Sequence, residues 1–218
     1  MDVLKEERIK VVKHLQKLEI TGLGGGGTSG NISIKNNGND LIAISPSGVS
    51  YDSLNWEMIP VIDRNGKIIS GSNRPSSEFL FHLKAYDIRE DINSVVHTHS
   101  INAAAFSTLG VDLPPLHYII GYAGDKVPFV PYEVFGGADL ASLIGDKIKN
   151  YNGVILGNHG VVAVGESIDT AYSCAEAIEF VSEIYLKTNN MQLKPKVLSN
   201  EQMNVVLEKF KTYGQGKS

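Results

Sequence analysis

The sequence predicts an α+β fold of three layers, in which a mainly antiparallel sheet is covered by helices on both faces. Three observations support this prediction. Short apolar or alternating segments, typical of strands, cluster in the middle of the chain. Longer segments with apolar residues at helical spacing flank them. Turn sequences join the first strands directly, which favours antiparallel pairing within one helix-covered sheet.

The first part of the chain predicts one helix followed by a meander of strands. Apolar residues at helical spacing predict a helix over about 3–20, and the alternating segment 31–35 predicts the first strand. Asn65-Gly66 is typical of a turn that joins two strands of a hairpin. The other elements expected here are strands at 40–45, 58–63 and 67–70 and a short helix near 52–55.

The second part of the chain alternates strands and helices. Pro75-Ser76-Ser77-Glu78 predicts the start of a helix that runs to about residue 87, because proline, hydroxyl and acidic residues favour a first turn. The remaining expected elements are strands at 94–99, 116–120, 153–156 and 161–164 and helices at 101–108, 138–150, 168–187 and 200–211. No boundary divides the pattern, so residues 1–218 are expected to form a single domain.

Composition excludes several classes of function. The net charge of −4 argues against a surface for nucleic acid or for an anionic membrane. No apolar run is long enough to span a membrane. Cys174 is the one cysteine, so no internal disulfide can form, and the first residues lack the pattern of a secretion signal. A cytoplasmic location is therefore expected.

A glycine-rich loop follows the first predicted helix. Gly22-x-Gly24-x-x-Gly27 has the spacing of a dinucleotide-binding loop. In that motif, however, the glycines follow a strand and open a helix, whereas here they follow a helix and precede a strand. We therefore reject a nicotinamide site. The loop is either a plain turn that ends the helix or backbone that approaches a phosphate group.

Three histidines and one glutamate are candidate metal ligands. His97 and His99 stand two residues apart in a predicted strand, so both imidazoles leave the same face. His159 lies in a tight Gly-Asn-His-Gly turn, where an exposed turn residue is the ordinary alternative. Together the three nitrogens would suit Zn²⁺ and leave one position open. Glu78 is the fourth candidate, although an acid at a helix start can simply interact with the helix dipole.

Ser76 and Ser77 stand beside Glu78 at the predicted start of a helix. Two hydroxyl groups and free backbone N–H groups at one helix start can bind an anion without a lysine. An anion site next to a candidate metal site indicates a phosphorylated substrate.

Five motifs occur in a fixed order along the chain. They are Thr28-x-Gly30-Asn31-x-Ser33, Ser45-Pro46-Ser47-Gly48, Pro75-Ser76-Ser77-Glu78, His97-x-His99 and Asn158-His159-Gly160. With them, the chain resembles the class II aldolase and sugar-phosphate epimerase family over essentially its whole length. The resemblance implies the three-layer fold of that family. It also implies tetramers of four-fold symmetry whose sites lie between subunits.

The resemblance also implies roles for individual residues. It implies that His97, His99 and His159 bind one Zn²⁺ per subunit, with Glu78 as the fourth ligand or, when substrate displaces it, as catalytic base. Tyr118 matches a tyrosine that donates a proton from a neighbouring subunit. Phe135 and Tyr213 match residues that shape the aldehyde end of the site. The positions that match the phosphate-binding residues are Thr28, Gly30, Asn31, Ser47, Gly48, Ser76 and Ser77.

The implied reaction is the reversible cleavage of a ketose 1-phosphate, with L-fuculose 1-phosphate as the favoured substrate and dihydroxyacetone phosphate and L-lactaldehyde as products. Aldolases for 5-deoxyribulose or methylthioribulose 1-phosphate would share the same metal and phosphate residues. An epimerase of the L-ribulose-5-phosphate 4-epimerase type is a further alternative. Epimerases of the family carry Asp at the position of Glu78, followed by Thr-Pro-Thr-His, whereas this chain has Phe79-Leu-Phe-His82. A non-catalytic scaffold of the adducin type would not need the three histidines.

Overall fold

A central sheet of eight strands organises the computed structural model, which describes residues 2–26 and 28–212. The strand order across the sheet is β4-β3-β2-β1-β5-β8-β7-β6. All neighbouring strands pair antiparallel except β6 and β7, which are parallel. The expected antiparallel sheet and its initial meander are therefore confirmed. The strands are β1 (Asn31–Lys35), β2 (Ile42–Ile44), β3 (Val61–Ile62), β4 (Ile68–Ser70), β5 (Ser94–Thr98), β6 (Phe129–Val130), β7 (Gly153–Leu156) and β8 (Gly160–Gly165).

Helices cover both faces of this sheet, so the predicted three-layer arrangement is confirmed. α1, α3 and α5 pack on one face, and α2 and α4 pack together on the other. α6 lies against a turn of 3-10 helix at Tyr118–Tyr122. The helices of the described residues are α1 (Lys5–Thr21), α2 (Phe79–Ile88), α3 (Ile101–Ser107), α4 (Ala138–Ile148), α5 (Ile168–Asn189) and α6 (Asn200–Lys211).

Successive side chains of the central strands point to opposite faces of the sheet, and this divides the apolar core into two halves. In β5, Val96 belongs to the apolar cluster under α1, α3 and α5, whereas Val95 belongs to the cluster under α2 and α4. His97 shares the face of Val95, because side chains two residues apart in a strand point the same way. In β1, Ile32 and Ile34 face the first cluster, which leaves Asn31, Ser33 and Lys35 on the α2 side. Polar residues therefore enter the buried layer between the sheet and α2.

The structure differs from the sequence-based prediction in three segments. The expected short helix near 52–55 consists of two turns of 3-10 helix, Tyr51–Ser53 and Trp56–Met58. The strand expected at 116–120 is wrong, because Tyr118–Tyr122 forms a 3-10 turn. Here the backbone N–H of Ile119 donates to the His117 side chain, which caps that turn. The edge strand β6 was not predicted. It is only two residues long, which is too short to show an alternation of apolar and polar residues.

Cys174 is buried in α5, where the sulfhydryl group donates a hydrogen bond to the carbonyl of Asn152. Burial raises the pKa of this thiol, so the side chain is inert filler of the core. Over residues 2–26 and 28–212, no helix combines the length and the apolar character needed to cross a membrane.

Candidate metal centre and substrate site

Four side chains converge at one end of β5. His97 is the fourth residue of this strand, and His99 follows the strand directly. His159 lies in the turn between β7 and β8, and Glu78 immediately precedes α2. One ligand atom from each of the four residues lies within 4.8 Å of the others. The structure thus brings together all four residues that were expected to bind a metal.

Hydrogen bonding fixes the orientation of the His97 ring. Its Nδ1 lies 2.8 Å from the carbonyl oxygen of Val161 in β8, an atom that can only accept. Burial, chiefly, holds the pKa of His97 well below its usual range, so the ring is neutral and its single proton is on Nδ1. The unprotonated Nε2 therefore points into the cluster, 2.8 Å from Nε2 of His99 and 3.3 Å from Oε2 of Glu78.

The donor set fits a metal ion. Burial lowers the pKa of His99 and of His159 as well, which keeps both rings neutral and able to bind a cation through a nitrogen. Nε2 of His159 lies 3.4 Å from Oε1 of Glu78. This buried oxygen accepts no hydrogen bond from any described residue, so it is free to bind a cation. Three imidazole nitrogens and one carboxylate are ligands that suit Zn²⁺.

Two opposing influences act on Glu78. Burial raises the pKa of its carboxyl group, because an apolar environment disfavours the charged form. A hydrogen bond from Asn31, and electrostatic attraction to His159 when that ring is protonated, act in the opposite direction. Nδ2 of Asn31 donates to Oε2 of Glu78 over 2.8 Å. The environment therefore favours a carboxylate that is more basic than an exposed one.

Three loop segments lie side by side next to this cluster. The backbone N–H of Ser76 donates to the carbonyl of Ser45, and that of Ser47 donates to the carbonyl of Arg74. The segment at 45–48 is joined in turn to β1, because the N–H of Ile32 donates to Oγ of Ser45. Residues 28–31, 45–48 and 75–78, which carry the predicted phosphate-binding positions, therefore meet at one place in the fold.

The predicted phosphate-binding residues differ in exposure. Ser76 and Asn31 are buried, whereas the rest are exposed or half-buried, namely Thr28, Gly30, Ser47, Gly48 and Ser77. The amide of Asn31 is already bonded on both sides, since Nδ2 donates to Glu78 and Oδ1 lies 2.6 Å from Nε2 of His82. The Asn31 side chain thus joins the segment predicted to bind phosphate to the candidate base.

The glycine loop lies directly against the ligand-bearing end of β5. A Cβ atom on Gly30 would lie 2.7 Å from the carbonyl oxygen of His97, and one on Gly25 would lie 2.5 Å from that of His99. Both glycines have positive φ, 87° and 74° respectively. Only glycine combines this conformation with such close approach. The hydroxyl group of Tyr51 lies 2.6 Å from the carbonyl of Ser29 and 2.8 Å from that of Gly30, which ties this loop to the core.

Tyr118, the expected proton donor, and Phe135, expected at the aldehyde end, lie on the surface. Tyr118 begins the 3-10 turn that contacts α6 and is 55% exposed. Phe135 is 62% exposed, and the neighbouring Gly136 approaches the carbonyl of Ser77 closely. Tyr213 lies outside the described residues. Within the described chain, Tyr118 and Phe135 are therefore available to contact a substrate or another subunit.

Comparison with known proteins agrees with this geometry. The model of the class II aldolase and adducin N-terminal domain family matches residues 9–186. The chain belongs to this family. A 5-deoxy-D-ribulose 1-phosphate aldolase of Bacillus thuringiensis serovar kurstaki is 40% identical over 98% of this chain and 99% of its own length. An L-fuculose phosphate aldolase of Haemophilus influenzae is 41% identical over 90% of this chain and 91% of its own.

A solved L-fuculose 1-phosphate aldolase has the same fold. Its structure superposes with a TM-score of 0.91 at 33% identity, covering 94% of this chain and 96% of the other. Family membership, aldolase relatives and the cluster of three histidines and a glutamate support a metal-dependent class II aldolase, a lyase.

Sequence reasoning did not find two contacts of the site. The bond between His82 and Asn31 joins a helix to a strand 51 residues away, and no spacing within either segment reveals it. The spacing of four residues between Glu78 and His82 predicts a shared helix face and favours a supporting or structural role for His82 over metal binding, but it does not identify Asn31 as the partner. Tyr51 gave no signal either, because an aromatic residue in a turn is common.

Proposed function

We propose that this chain is a zinc-dependent aldolase that reversibly cleaves L-fuculose 1-phosphate into dihydroxyacetone phosphate and L-lactaldehyde. The observation that carries the proposal is the position of the cluster of Glu78, His97, His99 and His159 beside three loops that carry hydroxyl and backbone N–H groups. A substrate with a phosphate at one end and vicinal oxygens next to it matches both parts of this site.

The phosphate is proposed to lie among residues 28–31, 45–48 and 75–78. Hydroxyl groups of Thr28, Ser47, Ser76 and Ser77 and backbone N–H groups of the same loops would donate to its oxygens. Donors of this kind bind phosphate without a lysine. Binding energy at this end orients the substrate so that the bond between C3 and C4 lies next to Glu78.

His97, His99 and His159 are proposed to hold Zn²⁺, with Glu78 as fourth ligand before substrate binds. Bound zinc would act as a Lewis acid that stabilises negative charge on the dihydroxyacetone phosphate half, so no Schiff-base lysine is required. The chain's own contribution is three neutral imidazoles in fixed orientation and a carboxylate close to them.

Glu78 and Tyr118 are proposed to move the two protons of the reaction. In the cleavage direction, the proton of the C4 hydroxyl group passes to Tyr118, the bond between C3 and C4 breaks, and C3 receives a proton from Glu78. In the synthetic direction, Glu78 removes the proton from C3 and Tyr118 donates one to the aldehyde oxygen. Burial keeps Glu78 basic enough for this exchange.

A homotetramer with sites between subunits is part of the proposal. Tyr118 is half exposed and packs against His117 and Phe210 rather than against the four-residue cluster. A tyrosine supplied by the neighbouring subunit would complete the site. Phe135, which is also exposed, and Tyr213 are proposed to shape the aldehyde end. We further propose that residues 1–218 form one domain and that the protein is cytoplasmic, which agrees with a buried, unpaired cysteine.

A second candidate substrate is 5-deoxyribulose 1-phosphate. The observation that favours it is the similarity over 98% of this chain to an aldolase named for the 5-deoxy-D-ribulose ester. The two substrates have the same dihydroxyacetone phosphate half and differ only in the aldehyde, which is L-lactaldehyde in one case and acetaldehyde in the other. The metal and phosphate residues therefore serve either substrate.

Metal analysis combined with product analysis tests the proposal. The purified protein is assayed for metal content and incubated separately with L-fuculose 1-phosphate and with 5-deoxyribulose 1-phosphate. Release of dihydroxyacetone phosphate and of the matching aldehyde is measured, and the ratio of kcat/KM values identifies the preferred substrate. Zinc without cleavage of either ester would redirect the search to other ketose 1-phosphates. Conversion of a ketose phosphate into its C4 epimer would show that the aldolase assignment is wrong.

A further inference from the structure

A continuous chain of polar side chains lies buried between β1 and α2. Asn31 and Ser33 stand two residues apart in β1 and face α2, while His82 and Tyr86 stand four residues apart in α2 and face the sheet. All four residues are buried, His82 completely. The chain ends at Glu78, one helical turn before His82. Polar groups in such a layer are expensive unless each one is paired.

Four short contacts join these side chains. The Tyr86 hydroxyl group lies 2.6 Å from Oγ of Ser33, and the same Oγ lies 2.7 Å from Nδ1 of His82. Nε2 of His82 lies 2.6 Å from Oδ1 of Asn31, and Nδ2 of Asn31 lies 2.8 Å from Oε2 of Glu78. Every polar atom of the chain between Tyr86 and Glu78 therefore has a partner.

The chemistry of the groups gives this chain a direction. Asn31 donates to the Glu78 carboxylate through Nδ2, so its Oδ1 can only accept, and Nε2 of His82 must carry the proton. Burial lowers the pKa of His82 to about 3, so the ring is neutral and has no second proton. Nδ1 of His82 then accepts from the Ser33 hydroxyl group. The Ser33 oxygen in turn accepts from the hydroxyl group of Tyr86.

We infer that His82 is a positioning residue that holds the Asn31 amide with its NH₂ group toward Glu78 and thereby fixes the orientation of the carboxylate for proton transfer. The inference rests on the proposed role of Glu78 as catalytic base. His82 does not touch the substrate in this account. It acts through Asn31, whose amide could otherwise turn by half a revolution and bring Oδ1 against Oε2 of Glu78. Two acceptors in contact repel, so the carboxylate would leave its position.

The pair of variants His82→Leu and His82→Gln separates this role from simple filling of the core. Both remove the imidazole and its stacking on Phe81, 4.6 Å between ring centroids. Gln carries a donor group close to the position of Nε2, whereas Leu carries none. We expect His82→Leu to lower kcat by about 10- to 100-fold, the usual effect of losing such a supporting hydrogen bond, while KM changes little. His82→Gln should recover most of the lost kcat.

Two kinetic results would overturn the inference. If Leu and Gln lower kcat equally, the hydrogen bond to Asn31 is not what matters. If kcat is retained and KM alone rises, the hydrogen-bonded side chains contribute to substrate binding and not to proton transfer by Glu78. If His82→Leu does not fold, His82→Gln alone tests the inference. The inference then requires that His82→Gln has a kcat close to that of the wild type.

A spectroscopic measurement tests the direction of the chain without any activity. ¹⁵N NMR of histidine-labelled, zinc-loaded protein distinguishes the protonated from the unprotonated ring nitrogen, and the His82 signals are assigned by their loss in His82→Gln. We expect the neutral Nε2–H tautomer. The Nδ1–H tautomer would mean that the Asn31 amide is turned and the inference is wrong. If the wild type cleaves no ketose phosphate, the proposed function is wrong. The tautomer of His82 still shows which way the hydrogen bonds run between Tyr86 and Glu78.

Discussion

His97 donates a hydrogen bond from Nδ1 to the backbone carbonyl of Val161 over 2.8 Å. Because β5 pairs directly with β8, this acceptor is part of the sheet itself and its position does not depend on a loop. The bond fixes both the tautomer and the rotation of the ring, so Nε2 is aimed at His99 and Glu78. Orientation of a metal-binding histidine by a second hydrogen bond is a recurrent device in metalloproteins.

We expect His97→Ala to abolish metal binding. The substitution removes a nitrogen that lies 2.8 Å from Nε2 of His99 and 3.3 Å from Oε2 of Glu78, and the remaining ligands cannot complete a site of high affinity. Metal content per subunit, measured by inductively coupled plasma mass spectrometry after dialysis, checks this expectation. His14→Ala, on α1 and outside the cluster, is the control and should keep its metal. A His97→Ala protein with full metal content would show that the cluster does not bind the ion.

Glu78→Gln should keep the metal but lose most of the activity. The amide preserves the size of the side chain, but it cannot accept the proton that a carboxylate accepts. A loss of about 10²- to 10⁴-fold in kcat is expected for removal of a general base. Steady-state kinetics and metal analysis of the same preparation measure both effects. Glu176→Gln, an exposed position on α5, is the matched control. Normal turnover by Glu78→Gln would exclude the proposed catalytic role.

Gly30→Ala should disturb the metal centre, whereas Gly22→Ala should not. Both glycines have positive φ, 87° and 73°, so each substitution costs about 1–2 kcal/mol of backbone strain. They differ in surroundings. A Cβ at Gly30 would lie 2.7 Å from the carbonyl oxygen of His97, whereas a Cβ at Gly22 would meet no atom within 4 Å. The dissociation constant for Zn²⁺, measured by competition with a chromophoric chelator, should rise for Gly30→Ala alone. Equal affinities would show that close packing of the loop is not required.

The sequence was sufficient to predict most of the elements and the four residues of the candidate metal site. Strand alternation places His97 and His99 on one face without any knowledge of the fold. Residue type and turn context added His159 and Glu78 as further candidates, and the resemblance to a known family then implied one common site, because both come from other parts of the chain. The predicted strand at 116–120 is wrong because local capping by His117 stabilises a turn where apolar residues also fit a strand.

The long-range contacts of the site could not be predicted from local pattern. Ser33 and Tyr86 each look like an ordinary residue of a strand or a helix. Their contact depends on how α2 lies across β1, which is set by packing of the whole α2 layer and not by either segment. The same reason applies to Tyr51 and the glycine loop.

The stability of the protein should fall in acid partly because of His82. Burial lowers the pKa of this residue from 6.5 to about 3 in the folded state, so the unfolded chain binds one more proton between these values. The free energy of unfolding therefore rises with pH between about 3 and 6.5, and this contribution of His82 is lost progressively as the pH falls below 6.5. One such group contributes a slope of about 1.4 kcal/mol per pH unit inside the window.

Urea unfolding of metal-free protein at several pH values between 4 and 7 measures this slope. His82→Gln should lose stability less steeply with acid than the wild type. Tyr86→Phe is the control: it removes a hydrogen bond of the same chain but no group that titrates in this range, since burial raises the pKa of Tyr86 above its ordinary value. It should be less stable yet keep the wild-type slope. Identical slopes in wild type and His82→Gln would show that His82 does not titrate as expected.

Mixed tetramers provide a test of the proposed sites between subunits. Tyr118→Phe and Glu78→Gln should each be nearly inactive alone, because each removes one of the two groups that move protons. If Tyr118 acts in a neighbouring subunit's site, a hybrid contains sites with both an intact Glu78 and an intact Tyr118. In an equal mixture, half of the subunits carry Tyr118→Phe and keep an intact Glu78, and half of their fixed neighbours carry Glu78→Gln and keep an intact Tyr118. Random exchange should therefore restore about one quarter of the wild-type activity. The two variants mixed without subunit exchange are the control and should stay inactive. Failure to recover activity after demonstrated exchange would place both residues in the same subunit's site or remove Tyr118 from the reaction.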